Sequence, residues 1–147
     1  GKTKNKELNS LIENYIKRIN FFNKFKIIEV NSPKTKKNNA SEIKKIEGEN
    51  ILKKIEHNDI LFLLDEKGKN YDSREFARFL KIKFHENKKI VFAIGGAFGF
   101  SENLYSKSAG LISLSKMTFS HQIIRLFFSE QLYRAFTILN NHPYHND

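Results

Sequence analysis

Apolar and polar positions recur with two different periods along this chain, and the switches between them mark its elements. Leu8, Leu11, Ile12, Tyr15 and Ile19 fall at helical spacing within Lys6–Asn20, which gives an amphipathic helix one apolar face. Phe25–Val30 reads as a short strand. Ser41 is placed to cap a second helix running to about His57, with Ile43, Ile46, Ile51, Leu52 and Ile55 turned inward. Gly48 costs that helix roughly 1 kcal/mol relative to alanine. Two uninterrupted apolar runs, Asp59–Leu64 and Ile90–Ile94, read as strands buried on both faces. Between them Ser73 is expected to cap a helix that buries Phe76, Ala77, Leu80 and Phe84. Leu111–Leu114 offers a last short strand, and a long helix follows from about His121 to Leu139.

Strands alternating with helices predict a single α/β domain, with a mostly parallel sheet covered by helices on both faces. No repeat and no linker divides the chain. Two loops fall at the carboxyl ends of expected strands, where ligands bind in open α/β sheets. One is Asp65–Lys69. The other is Gly95-Gly96-Ala97-Phe98-Gly99, followed by Ser101-Glu102 as cap and first-turn acid of a short helix. Its spacing is neither GxGxxG nor a Walker loop, so it marks a site candidate that is not for a dinucleotide. The long helix is apolar nearly all round, and a domain of this size is expected to share part of it with another subunit.

Composition narrows the partner. The 147 residues carry a formal net charge of +10, which favours a polyanion, although many lysines serve only as solvated surface. The lysine-rich loop Asn31–Asn39 reads equally as a phosphate-contacting arm or as a merely soluble connection. Cysteine is absent, which removes disulfides and thiolate metal sites, and no apolar run is long enough to span a bilayer. A cytoplasmic protein is expected. The chain begins at Gly1 without an initiator Met, so residues in front of it are expected.

Three motifs then carry a resemblance: IGGAFGFS, LSKMTFSHQIIRLFFSEQLYRA and the terminal HPYH. In that order and spacing, the chain resembles the ribosomal RNA large-subunit methyltransferase H family, small members of the SPOUT class. The likeness runs from Gly1-Lys2-Thr3-Lys4 to His145 and is densest after Ile90. The resemblance implies a deep trefoil knot near the C-terminus, a homodimer, and S-adenosylmethionine as cofactor. It also implies methylation of N3 of a pseudouridine in large-subunit ribosomal RNA, on assembled ribosomes. Carried over, the cofactor-binding positions are Leu64, Gly95, Leu114, Ser115, Lys116, Met117, Thr118 and Phe119. Two departures stand out. Ser120 occupies a position that is usually Pro, where Ser still caps a helix. The family's first strand precedes the Gly-x-x-Lys segment at which this sequence begins, and a sheet lacking it is expected to have an unpaired edge.

Displacement at a methyl group needs an in-line nucleophile, and an imide nitrogen must give up its proton. His142, Tyr144 and His145 are the candidates to take it; positioning of RNA or packing at an interface is the plainer role for them. Zinc binding by His121, His142 and His145 is a poorer reading, because no acidic or cysteine ligand accompanies them. Arg125 and Arg134 are candidates for RNA phosphate, with an ion pair to Glu130 as the structural alternative. Rival functions are a SPOUT methyltransferase with another RNA target, and a non-catalytic RNA-binding or ribosome-assembly protein.

Overall fold

The computed structural model describes residues 5–33 and 39–146, in which eight elements follow one another. They are α1 (Lys6–Phe22), α2 (Ala40–Leu52), β1 (Ile60–Asn70), α3 (Ser73–Phe84), β2 (Ile90–Ile94), α4 (Glu102–Lys107), β3 (Gly110–Ser113) and α5 (His121–Leu139). The Gly1–Lys4 segment and the lysines of the expected phosphate arm, within 34–38, lie outside the described residues.

A strand without a polar side belongs where both faces are covered, and β1 takes that place. It is the middle of a parallel sheet ordered β2-β1-β3. Ile60, Phe62 and Leu64 point to one layer while Leu61 and Leu63 point to the other, the alternation of a pleated strand. On the first face α1, α3 and α5 contribute Ile19, Phe76, Leu80, Phe128, Leu132 and Phe136. On the second, Leu104 of α4 joins Phe100 and Ala93, with Ile51 and Leu52 of α2 packed against them. The expected sheet with helices on both faces is present.

Several local expectations are corrected. Phe25–Val30 is irregular and pairs with no strand among the described residues. The Asn20 side chain has taken its first backbone groups: Nδ2 donates to the Phe25 carbonyl at 2.9 Å, and Oδ1 accepts from the Phe25 N–H at 3.1 Å. The run 90–94 is not central: β2 lies at the edge of the described sheet, and of its five residues only Ala93 is fully buried. Asp65–Lys69 is not a loop but the continuation of β1. Leu64 therefore does not close its strand. The pairing with β3 jumps there, so that Leu64 and Lys69 both lie opposite Ile112 and Asn70 opposite Ser113.

Helix caps move by one or two residues to the better acceptor. Asn39 rather than Ser41 caps α2, its side chain accepting from the Glu42 N–H at 3.3 Å. Asp72 rather than Ser73 caps α3, in a reciprocal capping box with Glu75. The second helix stops at Leu52, because the Lys54 and Ile55 N–H groups bond three residues back and tighten the chain out of the helix. Gly48 has a packing reason for being there. A Cβ on it would lie 2.2 Å from Ser101 Oγ, so α2 and the start of α4 meet through its bare backbone.

Candidate functional site

Parallel register sets the ends of β2 and β3 on either side of β1. Leu64 is flanked by Ile94 of β2 and Ile112 of β3, on strands about 4.8 Å away on each side. Gly95 follows Ile94, where β2 ends, and Leu114 follows Ser113, where β3 ends, so positions 95 and 114 leave the two strands that flank Leu64, which itself sits within β1. Gly95 lies against an aromatic floor, since a Cβ there would stand 3.3 Å from the Phe100 ring. The next residues form a tight turn in which the Gly99 N–H donates to the Gly96 carbonyl at 3.1 Å. Gly99 closes it at φ 75°, a left-handed conformation that favours glycine.

A charged group that no motif indicated borders this turn. The Glu47 carboxylate from α2 would be 2.8 Å from a Cβ on Gly96, and it accepts a hydrogen bond from Ser32 Oγ. A lone glutamate on an amphipathic helix gives no signal in a sequence; only the fold carries it to the strand tips.

The loop 114–119 is braced from behind. Asn70 Nδ2 donates to both the carbonyl and the Oγ of Ser113, each at 3.2 Å. Ser113 Oγ donates to the Ser115 carbonyl at 2.8 Å, and Ser115 Oγ accepts from the Met117 N–H at 2.9 Å. Leu114 packs onto the main core. Lys116, Met117, Thr118 and Phe119 stand exposed, Met117 to 72%. Phe119 meets Phe127 of α5 at 5.3 Å between ring centres. Apart from the charged Lys116, none of the eight predicted positions carries an ionisable side chain. Backbone N–H and C=O groups and apolar side chains make up the surface, a donor set suited to a neutral purine ring rather than to a metal.

Two titrating groups lie close by. Burial first, and then its hydrogen bond to Asp65 at 2.6 Å, push the Tyr105 phenol up to about 12. Asp65 also accepts from the Lys67 N–H at 2.9 Å, so its carboxylate is occupied holding the β1 irregularity. His121 opens α5 immediately after the loop, behind the Ser120 cap. Its imidazole is held below the usual histidine range, by burial above all and also by the nearby charge of Arg125. A depressed folded value favours the neutral ring, so this contribution to stability is complete above about pH 6.5 and is lost as pH falls through the folded value. In an NMR titration, the His121 midpoint is expected below the ordinary histidine value of about 6.5; a midpoint equal to it or higher contradicts the assignment.

The tail is elsewhere on the protomer. Thirteen residues of α5 separate His121 from Arg134, about 20 Å along the axis. There Tyr144 packs edge-on against Tyr133 at 4.7 Å, and its hydroxyl donates to Glu130 at 3.2 Å and lies 3.4 Å from that of Tyr15. Burial and the bond to Tyr15 raise the Tyr144 phenol well above its ordinary value, so in this position it donates and does not accept protons. His145 Nδ1 is 3.1 Å from Arg134, and the His142 ring abuts Phe22. The tail residues are therefore gathered together at the far end of α5.

Both candidate arginines are engaged. Arg125 pairs with Glu29 at 3.0 Å with little exposure, and Arg134 bonds Glu130 through Nε at 3.0 Å. The Glu130 bond raises the Arg134 guanidinium above its ordinary value, with burial opposing. The sequence's alternative of an ion pair to Glu130 is realised for Arg134.

Comparison with known proteins adds to this geometry. A family model described as predicted SPOUT methyltransferase matches residues 1–145. The chain is 51% identical over 148 aligned positions to the ribosomal RNA large subunit methyltransferase H of Flavobacterium johnsoniae, covering 99% of this chain and 94% of that one. Similar proteins bearing the same name occur in Christiangramia forsetii, 47% identical over 99% of this chain and 94% of theirs, and in Phocaeicola vulgatus, 48% identical over 100% and 95%. No described helix is long and apolar enough to cross a membrane.

Proposed function

The chain belongs to the SPOUT methyltransferase family, and from that premise we propose that it methylates N3 of a pseudouridine in large-subunit ribosomal RNA. It is a methyltransferase acting on ribosomal RNA, as its relatives' shared name and near-complete coverage support. The pseudouridine and its N3 atom, the cofactor positions and the assembly are our reading. The observation that carries it is that Gly95 and the 114–119 loop leave the carboxyl ends of the two strands that flank Leu64.

S-adenosylmethionine, when bound, supplies an electrophilic methyl group. The chain's part is to hold and orient. Leu114 offers apolar cover to a purine face, with the Leu64 side chain buried in the core beneath it, while the bare backbone around Gly95 and Gly96 allows close approach. The Asn70–Ser113–Ser115 relay fixes the loop backbone, so that its N–H and C=O groups are preorganised. The imide proton goes to a basic group, for which His142 and His145 are the candidates. Tyr144, locked as a donor, is better suited to position them.

We further propose a knotted, dimeric protein whose site is shared between subunits. Phe98, Met117, Phe119 and Phe127 are all exposed large apolar side chains, the last three on the loop and the helix it leads into. With the tail docked about 20 Å from its own loop, a tail delivered by a second copy completes the site.

Two experiments test this reading. Labelled-methyl transfer to ribosomes, separated subunits and naked rRNA, followed by nucleoside analysis, is expected to place label in ribosomal pseudouridine. Label in another nucleoside favours a different RNA target; no label favours a non-catalytic RNA binder. Mixing Gly95→Trp with a protein deleted for 142–147 is expected to restore up to about a quarter of wild-type activity through mixed dimers, as random pairing with one intact site allows. Mixtures that stay inactive while dimers exchange refute the shared site.

A further inference from the structure

We infer that the carboxyl end of α1 is a landing site for unpaired RNA, with a nucleobase stacked on Phe21 and the adjoining phosphates on Lys17 and Arg18. Phe21 is 85% exposed, more than any other large apolar side chain among the described residues. It stands one helical turn beyond Lys17, on the same side of α1. Beside it a groove of about 370 Å³ is lined by Lys17, Arg18, Phe21, Phe22, Tyr133 and His142.

The groove has a stiff floor and a cationic rim. Phe22 meets Phe21 edge-on at 5.3 Å and stacks parallel to Phe136 at 6.2 Å, so the floor is anchored in the core. His142 stands edge-on to Phe22 at 6.2 Å and closes one side. The Arg18 guanidinium lies over the Tyr133 ring at 5.6 Å and the Tyr15 ring at 5.9 Å, which holds its charge at the rim. Among the described residues, no carboxylate lines the groove.

Flat apolar surface between cations matches a polymer that alternates flat rings with anions. Stacking accepts any base, and lysine and arginine meet the backbone. A second copy of a chain with net charge +10 is poorly matched to the same cations. This inference rests on the ribosomal-RNA reading for its partner, and adds a contact surface distinct from the strand tips. Because His142 both lines the groove and begins the tail, RNA seated here touches the segment proposed to serve the reaction.

The test uses the full chain and a fluorescein-labelled oligoadenylate in an anisotropy titration at fixed salt. Phe21→Ala is expected to weaken binding about tenfold to a hundredfold, and Phe21→Trp to retain it. Lys17→Gln is expected to lower the slope of log affinity against log salt by about 0.7, the loss of one phosphate contact. Cofactor binding by calorimetry and mass by light scattering are expected to be unchanged in all three. Unaltered oligoadenylate affinity in Phe21→Ala overturns the inference. So does a change of mass in that variant, which assigns the face to a second copy. Binding that depends on Phe21 in a protein that transfers no methyl group to ribosomes upholds the surface and sinks the methyltransferase reading instead.

Discussion

Gly68→Ala is expected to lower the unfolding free energy by about 3 kcal/mol, the upper end of the cost of overpacking. A Cβ on Gly68 would lie 2.5 Å from the Ile112 nitrogen, 2.6 Å from the Leu111 carbonyl carbon and 2.7 Å from that of Ile112. All three are backbone atoms of β3, so no side chain can swing aside to make room. Relief requires β3 to move away from β1, yet Leu63, Leu64, Lys69 and Asn70 all pair with that strand. The displacement also reaches the site, because Asn70 and Ser113 brace the 114–119 loop. Gly110→Ala is the matched control: its Cβ would meet the Phe62 ring at 3.5 Å, an ordinary contact. Denaturant midpoints at equal slope give the comparison. If the two variants fall within about 0.5 kcal/mol of each other, the close approach at Gly68 has no energetic meaning.

Gly95→Trp is expected to cost methyl transfer a factor on the order of a thousand, equivalent to about 4 kcal/mol of lost binding. Even a methyl group at this position stands 3.3 Å from Phe100, so an indole has no room there and must displace that ring or crowd the turn after β2. That turn is the backbone proposed to meet the cofactor. Gly95→Ala separates occlusion from unfolding. It needs a shift of a few tenths of an ångström in the Phe100 ring, and is expected to fold normally with a modest loss of affinity. Calorimetry with S-adenosylmethionine and a thermal melt on both variants decide the matter. Wild-type affinity in folded Gly95→Trp removes Gly95 from the cofactor site.

Local chemistry was readable in the chain wherever an element depends on its own residues. The bounds of α5 from His121 to Leu139 and of β2 from Ile90 to Ile94 follow from periodicity and caps alone. Pairing is different, since a strand needs a neighbour that sequence periodicity does not name. Phe25–Val30 has the composition of a strand, but Asn20 holds its start and no ladder forms among the described residues. Asp65–Lys69 has the composition of a loop, yet β3 offers Lys69 and Asn70 an edge beyond the bulge. The same limit applies to the site. Gly95 and Leu114 were nameable from motifs and Leu64 from the family resemblance, and parallel register sets Leu64 between the strands that the other two follow. Glu47, Asn70 and Tyr105 act through distant partners, and nothing near them in the sequence marks them out.

The docking of the tail also has an optical consequence. The chain has no tryptophan and five tyrosines, so its near-ultraviolet emission is tyrosine emission. Three of the five, Tyr15, Tyr133 and Tyr144, crowd around Glu130 and Arg134 where the tail is seated. Lifting the tail parts Tyr144 from its quenching carboxylate and from its two sister rings, so native light reports undocking as it happens, with no dye attached.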